Sequence, residues 1–177
     1  MRIGLIADTH IPEAGDALPR EVFQALRGVD LVLHAGDMHV IQVLDWLEGL
    51  APVLAARGNG DVPQGPLRPG VPDDPRVQPV HLLQIEGITL GLIHAFPLPE
   101  EVPWADWEGL MVRLLGRKVD VVVCGDTHIA GLFRRNGVLV ANPGSPTLPN
   151  NLVGRLGTVG ILEVERGKVR GEIIPLA

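Results

Sequence analysis

A single cysteine, Cys124, leaves no partner for an intramolecular disulfide. Its place inside the apolar "VVVCGD" reads as a small buried residue in a reducing compartment. The 177 residues contain no run of like charge and carry a formal net charge of −6. That balance argues against a dedicated nucleic-acid or membrane-surface protein, which would present a basic face. No stretch of about 18 apolar residues is present, and no signal-type segment precedes the first strand pattern. A cytoplasmic location without membrane contact is the expectation. No Gly-x-Ser-x-Gly elbow offers a serine nucleophile, and no glycine-rich phosphate loop follows the first strand. Small phosphate-bearing substrates stay open.

The chain is 46% hydrophobic, enough for a single globular domain over 1–177 with a sizeable core. Its first half alternates short apolar runs with helical patterns. "IGLIA", "DLVLHAG" and "PVLAAR" read as strands, with "LPREVFQALRG" and "VIQVLDWLEG" as helices between them. That βαβαβ order predicts a parallel sheet with helices packed on it. The second half predicts three hairpins, around Glu86-Gly87, Asn136-Gly137 and Arg166-Gly167. A helix over roughly 101–117 and the strand "VDVVVCG" fall among them. Together they predict an α/β fold of two stacked mixed sheets flanked by helices, a four-layer α/β/β/α sandwich. Prolines at 63, 66, 69, 72, 75 and 79 make 61–79 a long loop, either facing the substrate or lying on the surface.

The tetrad "DTHI" occurs twice, at 8–11 and 126–129, each time after an apolar run. No repeat of about 20–50 residues accompanies it, so it is no duplicated module. Ligands of open α/β sheets gather at the carboxyl ends of the parallel strands. There stand Asp8 and His10, Asp37 of "HAGD", Asn59 of "GNGD", His94 of "LIH", and Asp126 and His128 of "GDTH". Each motif alone is ordinary turn chemistry. The ordered series of oxygen and nitrogen donors without thiolate suits Mn²⁺, Mg²⁺, Fe or Zn²⁺.

The series "ADTH", "HAGD", "GNGD", "LIH", "GDTH" and "NPGSP" resembles the calcineurin-like metallophosphoesterase superfamily, specifically its small YfcE-like branch, over nearly the whole chain. The resemblance implies the α/β/β/α sandwich and hydrolysis of small phosphate esters, as phosphodiesterase or phosphatase, at two divalent ions. Mn²⁺ is the leading choice, with Zn²⁺, Fe, Ni²⁺ or Mg²⁺ as the others. It assigns Asp8, His10 and His128 to the first ion, Asp37 to both, and Asn59 and His94 to the second. A hydroxide shared by the ions would attack phosphorus in line, which makes Asp37 and Asn59 the residues nearest the chemistry. Position 126, where the family carries histidine, is aspartate here and a ligand candidate for the second ion. "NPGSP" implies a loop by the site, with Ser145 either contacting phosphate or supporting a ligand.

Arg57 is either a phosphate contact or a surface arginine. His34 is either a support for the ligands or a core histidine, His39 a candidate facing the site, and His81 an ordinary strand residue. Gly60 replaces a histidine that serves as leaving-group acid in fuller members, so good leaving groups are favoured. Phe96 replaces a second histidine. The alternative reading is an inactive scaffold, as in the retromer's metallophosphoesterase-like subunit. A homo-oligomer is compatible with either.

Overall fold

The computed structural model describes residues 1–98, 101–102 and 104–177. The first sheet takes β1 (Arg2–Ile6), β2 (Leu31–His34), β3 (Val53–Ala56) and β4 (Val77–Gln78) as parallel neighbours. It is completed by an antiparallel hairpin of β10 (Thr158–Glu165) and β11 (Lys168–Pro175), giving the order β11-β10-β1-β2-β3-β4. The second sheet has the order β5-β6-β7-β9-β8. Its strands are β5 (Val80–Ile85), β6 (Ile88–Ile93), β7 (Val121–Val123), β8 (Gly131–Arg135) and β9 (Val138–Asn142). Both sheets are mixed.

Alternating side chains divide the apolar residues among three interfaces. On β7, Val121 and Val123 enter the core between the sheets, where they meet Leu5, Leu33, Leu90 and Leu92. Val122 points the other way, onto Trp107, Met111 and Leu115 of α3 (Trp107–Leu115). On the far side, Ile6, Val32 and Val53 pack against Val22 and Leu26 near α1 (Arg20–Ala25) and Leu44 and Leu47 of α2 (Gln42–Glu48). The four layers α/β/β/α follow directly.

All three expected hairpins form. At Asn136 (φ 50°) and Gly137 (φ 83°) both central residues are left-handed, the turn whose twist matches the flanking strands. The third helix is shorter than the predicted 101–117. Asp106 caps it by accepting the Gly109 N–H at 3.1 Å, and Gly116 closes it at φ 81°. Position 103, inside the predicted span, lies outside the described residues. The proline-rich segment is loop except for β4, which sits at the sheet edge, where proline neighbours are tolerated. No helix among the described residues is long and apolar enough to cross a membrane.

Candidate metal centre

The turns after β1, β2, β3, β6 and β7 carry the predicted ligands, Asn59 among them after β3. Asp8 (φ 51°), His10 (φ 47°), Asp37 (φ 56°), Asp126 (φ 71°) and His128 (φ 57°) all sit in the left-handed region, where non-glycine residues are uncommon. The same alternation continues at His39 (φ 68°), so Asp37-Met38-His39 is a third Asp-x-His turn beside the two copies of "DTHI". Such strain persists only when the surroundings enforce it.

Those surroundings are explicit. Ser145 Oγ donates to Asp8 O at 2.6 Å and Thr147 Oγ1 to Thr9 O at 2.7 Å, clamping the first turn. The Gly36 N–H donates to His34 Nδ1 at 3.1 Å, leaving the His34 Nε2–H, 3.2 Å away, to bond Thr9 Oγ1. Burial holds the His34 pKa down at about 3, so this imidazole is neutral and structural. Asp61 is fully buried and accepts four backbone N–H groups, from Asp37, Met38, His39 and Gly58, at 2.7–3.1 Å. It fixes the second turn onto the "GNGD" segment. Asn142 Nδ2 donates to Gly125 O at 2.8 Å and to Thr127 Oγ1 at 3.1 Å, holding the third.

The ligand-type atoms face one another. His94 Nδ1 is 2.7 Å from Ala35 O and must donate to it, so in the neutral ring Nε2 carries the lone pair. That lone pair points at three oxygens: Asn59 Oδ1 at 3.0 Å, Asp37 Oδ1 at 3.4 Å and Asp126 Oδ1 at 3.4 Å. With the ring neutral and the Asn59 oxygen inward, a cation among these groups would satisfy all four. Ligand atoms about 2.1 Å from one ion stand roughly 3.0–3.4 Å apart, and the three oxygens lie at that distance from His94 Nε2. Asp126 is in none of the clusters whose ligand atoms all lie close together. Asp37 Oδ2 faces the opposite way, 3.6 Å from His10 Nε2. His128 Nδ1 bonds Leu148 O at 3.1 Å, so its Nε2 looks toward Asp8 Oδ1 at 4.0 Å. Asp8, His10 and His128 form one cluster of ligand atoms, and Asp8, Asp37 and His94 a second.

Four of the five buried side-chain polar atoms without a hydrogen-bond partner among the described residues lie here: Asp8 Oδ2, His10 Nε2 and both ring nitrogens of His39. Burial, and then the neighbouring Asp37, raises the Asp8 pKa well above the carboxylate range. Burial lowers His10 to about 4 against the pull of Glu13, and lowers His39 and His128 as well. Neutral imidazoles and an uncompensated buried carboxylate are the state that a divalent cation stabilises. The donor set fits the ions expected of it. The centre opens toward solvent on the side of Asn59 and Asp126, the two exposed members of the set.

For the two candidate substrate contacts, the side chains take the second of the alternatives open to each. Arg57 donates to Val71 O at 2.6 Å and to Pro72 O at 3.0 Å, so its guanidinium ties down the proline-rich loop. Ser145 is fully buried and its hydroxyl also accepts from Leu148 N, so it supports Asp8 and leaves nothing for a phosphate. His81 bonds Ala55 O and Arg76 O at the sheet edge, as an ordinary strand residue. Sequence reading gave no role to Glu13, Asp61 or Arg68. Only Asp61 carried a signal, as the last residue of "GNGD".

A cluster of ligand-type residues at the carboxyl ends of central strands in an α/β/β/α sandwich fits a metal-dependent phosphoesterase. Residues 1–167 match the calcineurin-like phosphoesterase superfamily domain. The chain is 38% identical over 176 residues to a probable metallophosphoesterase of Methanothermobacter thermautotrophicus, covering 98% of this chain and 92% of that protein. It is 34% identical to a probable metallophosphoesterase of Methanocaldococcus jannaschii, covering 99% and 82%. In fold it is similar to Vps29 of Entamoeba histolytica, crystallised in complex with Zn²⁺, with a TM-score of 0.69, 22% identity and 99% of both chains covered. The chain belongs to the calcineurin-like phosphoesterase superfamily, and its chemistry is metal-dependent phosphoester hydrolysis.

Proposed function

We propose that the chain, as one domain over 1–177, is a cytoplasmic hydrolase of small phosphate esters in the small YfcE-like branch, working with two Mn²⁺ ions. Asp8, His10 and His128 hold the first ion, Asn59, His94 and Asp126 the second, and Asp37 both. The observation that carries this reading is the inward-facing His94 Nε2 lone pair, met by oxygens of Asn59, Asp37 and Asp126 at 3.0–3.4 Å, with the second Asp37 oxygen turned to His10. Three carboxylates among the ligands favour a hard cation, which supports Mn²⁺ over the softer choices.

Two divalent ions supply, when bound, an acidified water as nucleophile and positive charge for the phosphoryl oxygens. The protein's own contribution is orientation. Carbonyls of Ala35 and Leu148 lock the His94 and His128 rings with Nε2 inward, and Asp61 holds the turn carrying Asp37. Exposed Asn59 and Asp126 form the side on which a small ester can approach. Elemental analysis of Mn²⁺-loaded protein tests the assignment. Two ions per chain support it, and one or none contradicts it.

A further inference from the structure

The proline-rich segment is fastened to the turns that carry the ligands. Gln64 Nε2 donates to Asn59 O at 3.0 Å, and the Val71 N–H to Asp61 O at 2.8 Å. The third fastening is a side-chain relay. Arg68 Nε and Nη2 grip both oxygens of Glu13, at 3.0 and 3.1 Å. Glu13 Oε2 in turn lies 3.1 Å from His10 Nδ1 and 3.7 Å from His39 Nδ1.

We propose that Glu13 and Arg68 are positioning residues for the first ion. Arg68 fixes the Glu13 carboxylate, the carboxylate takes the His10 Nδ1–H, and His10 Nε2 is left as a lone pair facing Asp37. This inference rests on the assignment of His10 as a ligand. A carboxylate on the far nitrogen of a ligand imidazole sets its tautomer and ring orientation, and its loss typically weakens metal binding about 10- to 100-fold. Glu13, His10 and His39 also form a third cluster of ligand-type atoms. There the guanidinium supplies the positive charge that an ion would supply in the other two. A surface ion pair by itself contributes little to stability. Its consequence here is registered through His10, and it makes the segment around Arg68 part of the metal centre.

Linkage makes the relation reciprocal, so ion binding must also order the segment. Calorimetric titration of metal-stripped protein with Mn²⁺, combined with amide hydrogen exchange, tests it. For Glu13→Ala and Arg68→Ala, one of two binding steps weakens by about 10- to 100-fold. Arg68→Lys, which keeps the charge but loses the two-pronged grip, recovers part of it. Unfolding of the metal-free variants stays near wild type, because both side chains lie at the surface. In wild type, Mn²⁺ slows exchange at the hydrogen-bonded amides of Gln64, Arg68 and Val71, and in Glu13→Ala this protection shrinks. Wild type binding two ions while both variants bind them equally well overturns the relay alone. Wild type binding no ion overturns the ligand assignment, and the relay with it.

Discussion

The His39 imidazole fills the volume that a side chain at position 60 would need: a β-carbon on Gly60 would lie 2.5 Å from His39 Nε2 and 3.1 Å from Asp37 Cγ. Gly60 therefore does not leave an empty place where a histidine has been lost. A fully buried imidazole already stands there, delivered by the third Asp-x-His turn.

Gly60→Ala should thus act on the centre itself. The methyl group must displace His39 or the Gly60 N–H that Asp37 Oδ1 accepts at 2.7 Å. Stability should fall by about 1–3 kcal/mol, as for overpacking elsewhere. Activity should fall about tenfold or more, because small misplacements near reacting groups are costly. Adding His39→Ala should restore stability without restoring activity. Thermal unfolding and turnover of both proteins check this, and a single variant as stable as wild type would contradict it.

Most of the architecture could be read from the residues. Strand ends, hairpin turns and the ligand series all rest on local patterns: alternation along β7, paired left-handed turn residues, and acids or imidazoles at strand ends. Two of the residues that escaped, Asp61 and Arg68, act across long separations, while Glu13 lies three positions from His10. Asp61 bonds a turn more than twenty positions earlier, and Arg68 reaches Glu13 across 55. Nothing local marks the distant partner, although Asp61 itself ends the motif "GNGD". Arg57 and Ser145 have two readings each, since lying next to a ligand motif says nothing of where a side chain points. Arg57 turns to the loop and Ser145 into the backbone of Asp8.

Asp37→Asn should be the most damaging single ligand change. Its two oxygens face different imidazoles, and an amide offers one good acceptor where a carboxylate offers two. Activity should fall on the order of a thousandfold, the scale of losing one strong charge-stabilising group. Elemental analysis should show reduced metal content in a folded protein. Near-normal turnover with normal metal content would show that the bridge is elsewhere.

Asp126→His exchanges an exposed carboxylate beside His94 Nε2 for a neutral, more borderline donor. Zn²⁺ occupancy of the second site should rise, and the acidic limb of the pH–rate profile should move down, because bound water is more acidic with less negative charge around it. Unchanged metal content and an unchanged limb would remove Asp126 from the ligand set.

His34 makes the stability of the metal-free protein depend on pH. Its folded pKa of about 3 lies below the ordinary 6.5, so between those values the unfolded chain binds the extra proton. The stability associated with the neutral ring is complete above about pH 6.5 and is lost as pH falls toward 3, at about 1.4 kcal/mol per pH unit. His34→Asn should be less stable at pH 7 but show a flatter decline over that window in denaturant titrations. Parallel declines would mean that His34 is not the group protonated on unfolding.

Hydrolysis of an activated aryl phosphodiester by metal-stripped protein, followed as each divalent ion is returned, bears most directly on the function. Turnover should be absent after chelation and restored most fully by Mn²⁺, and Asp37→Asn should remain inactive at every Mn²⁺ concentration. Turnover that survives complete removal of metal, or none with any ion despite two bound per chain, would contradict a metal-dependent phosphoesterase.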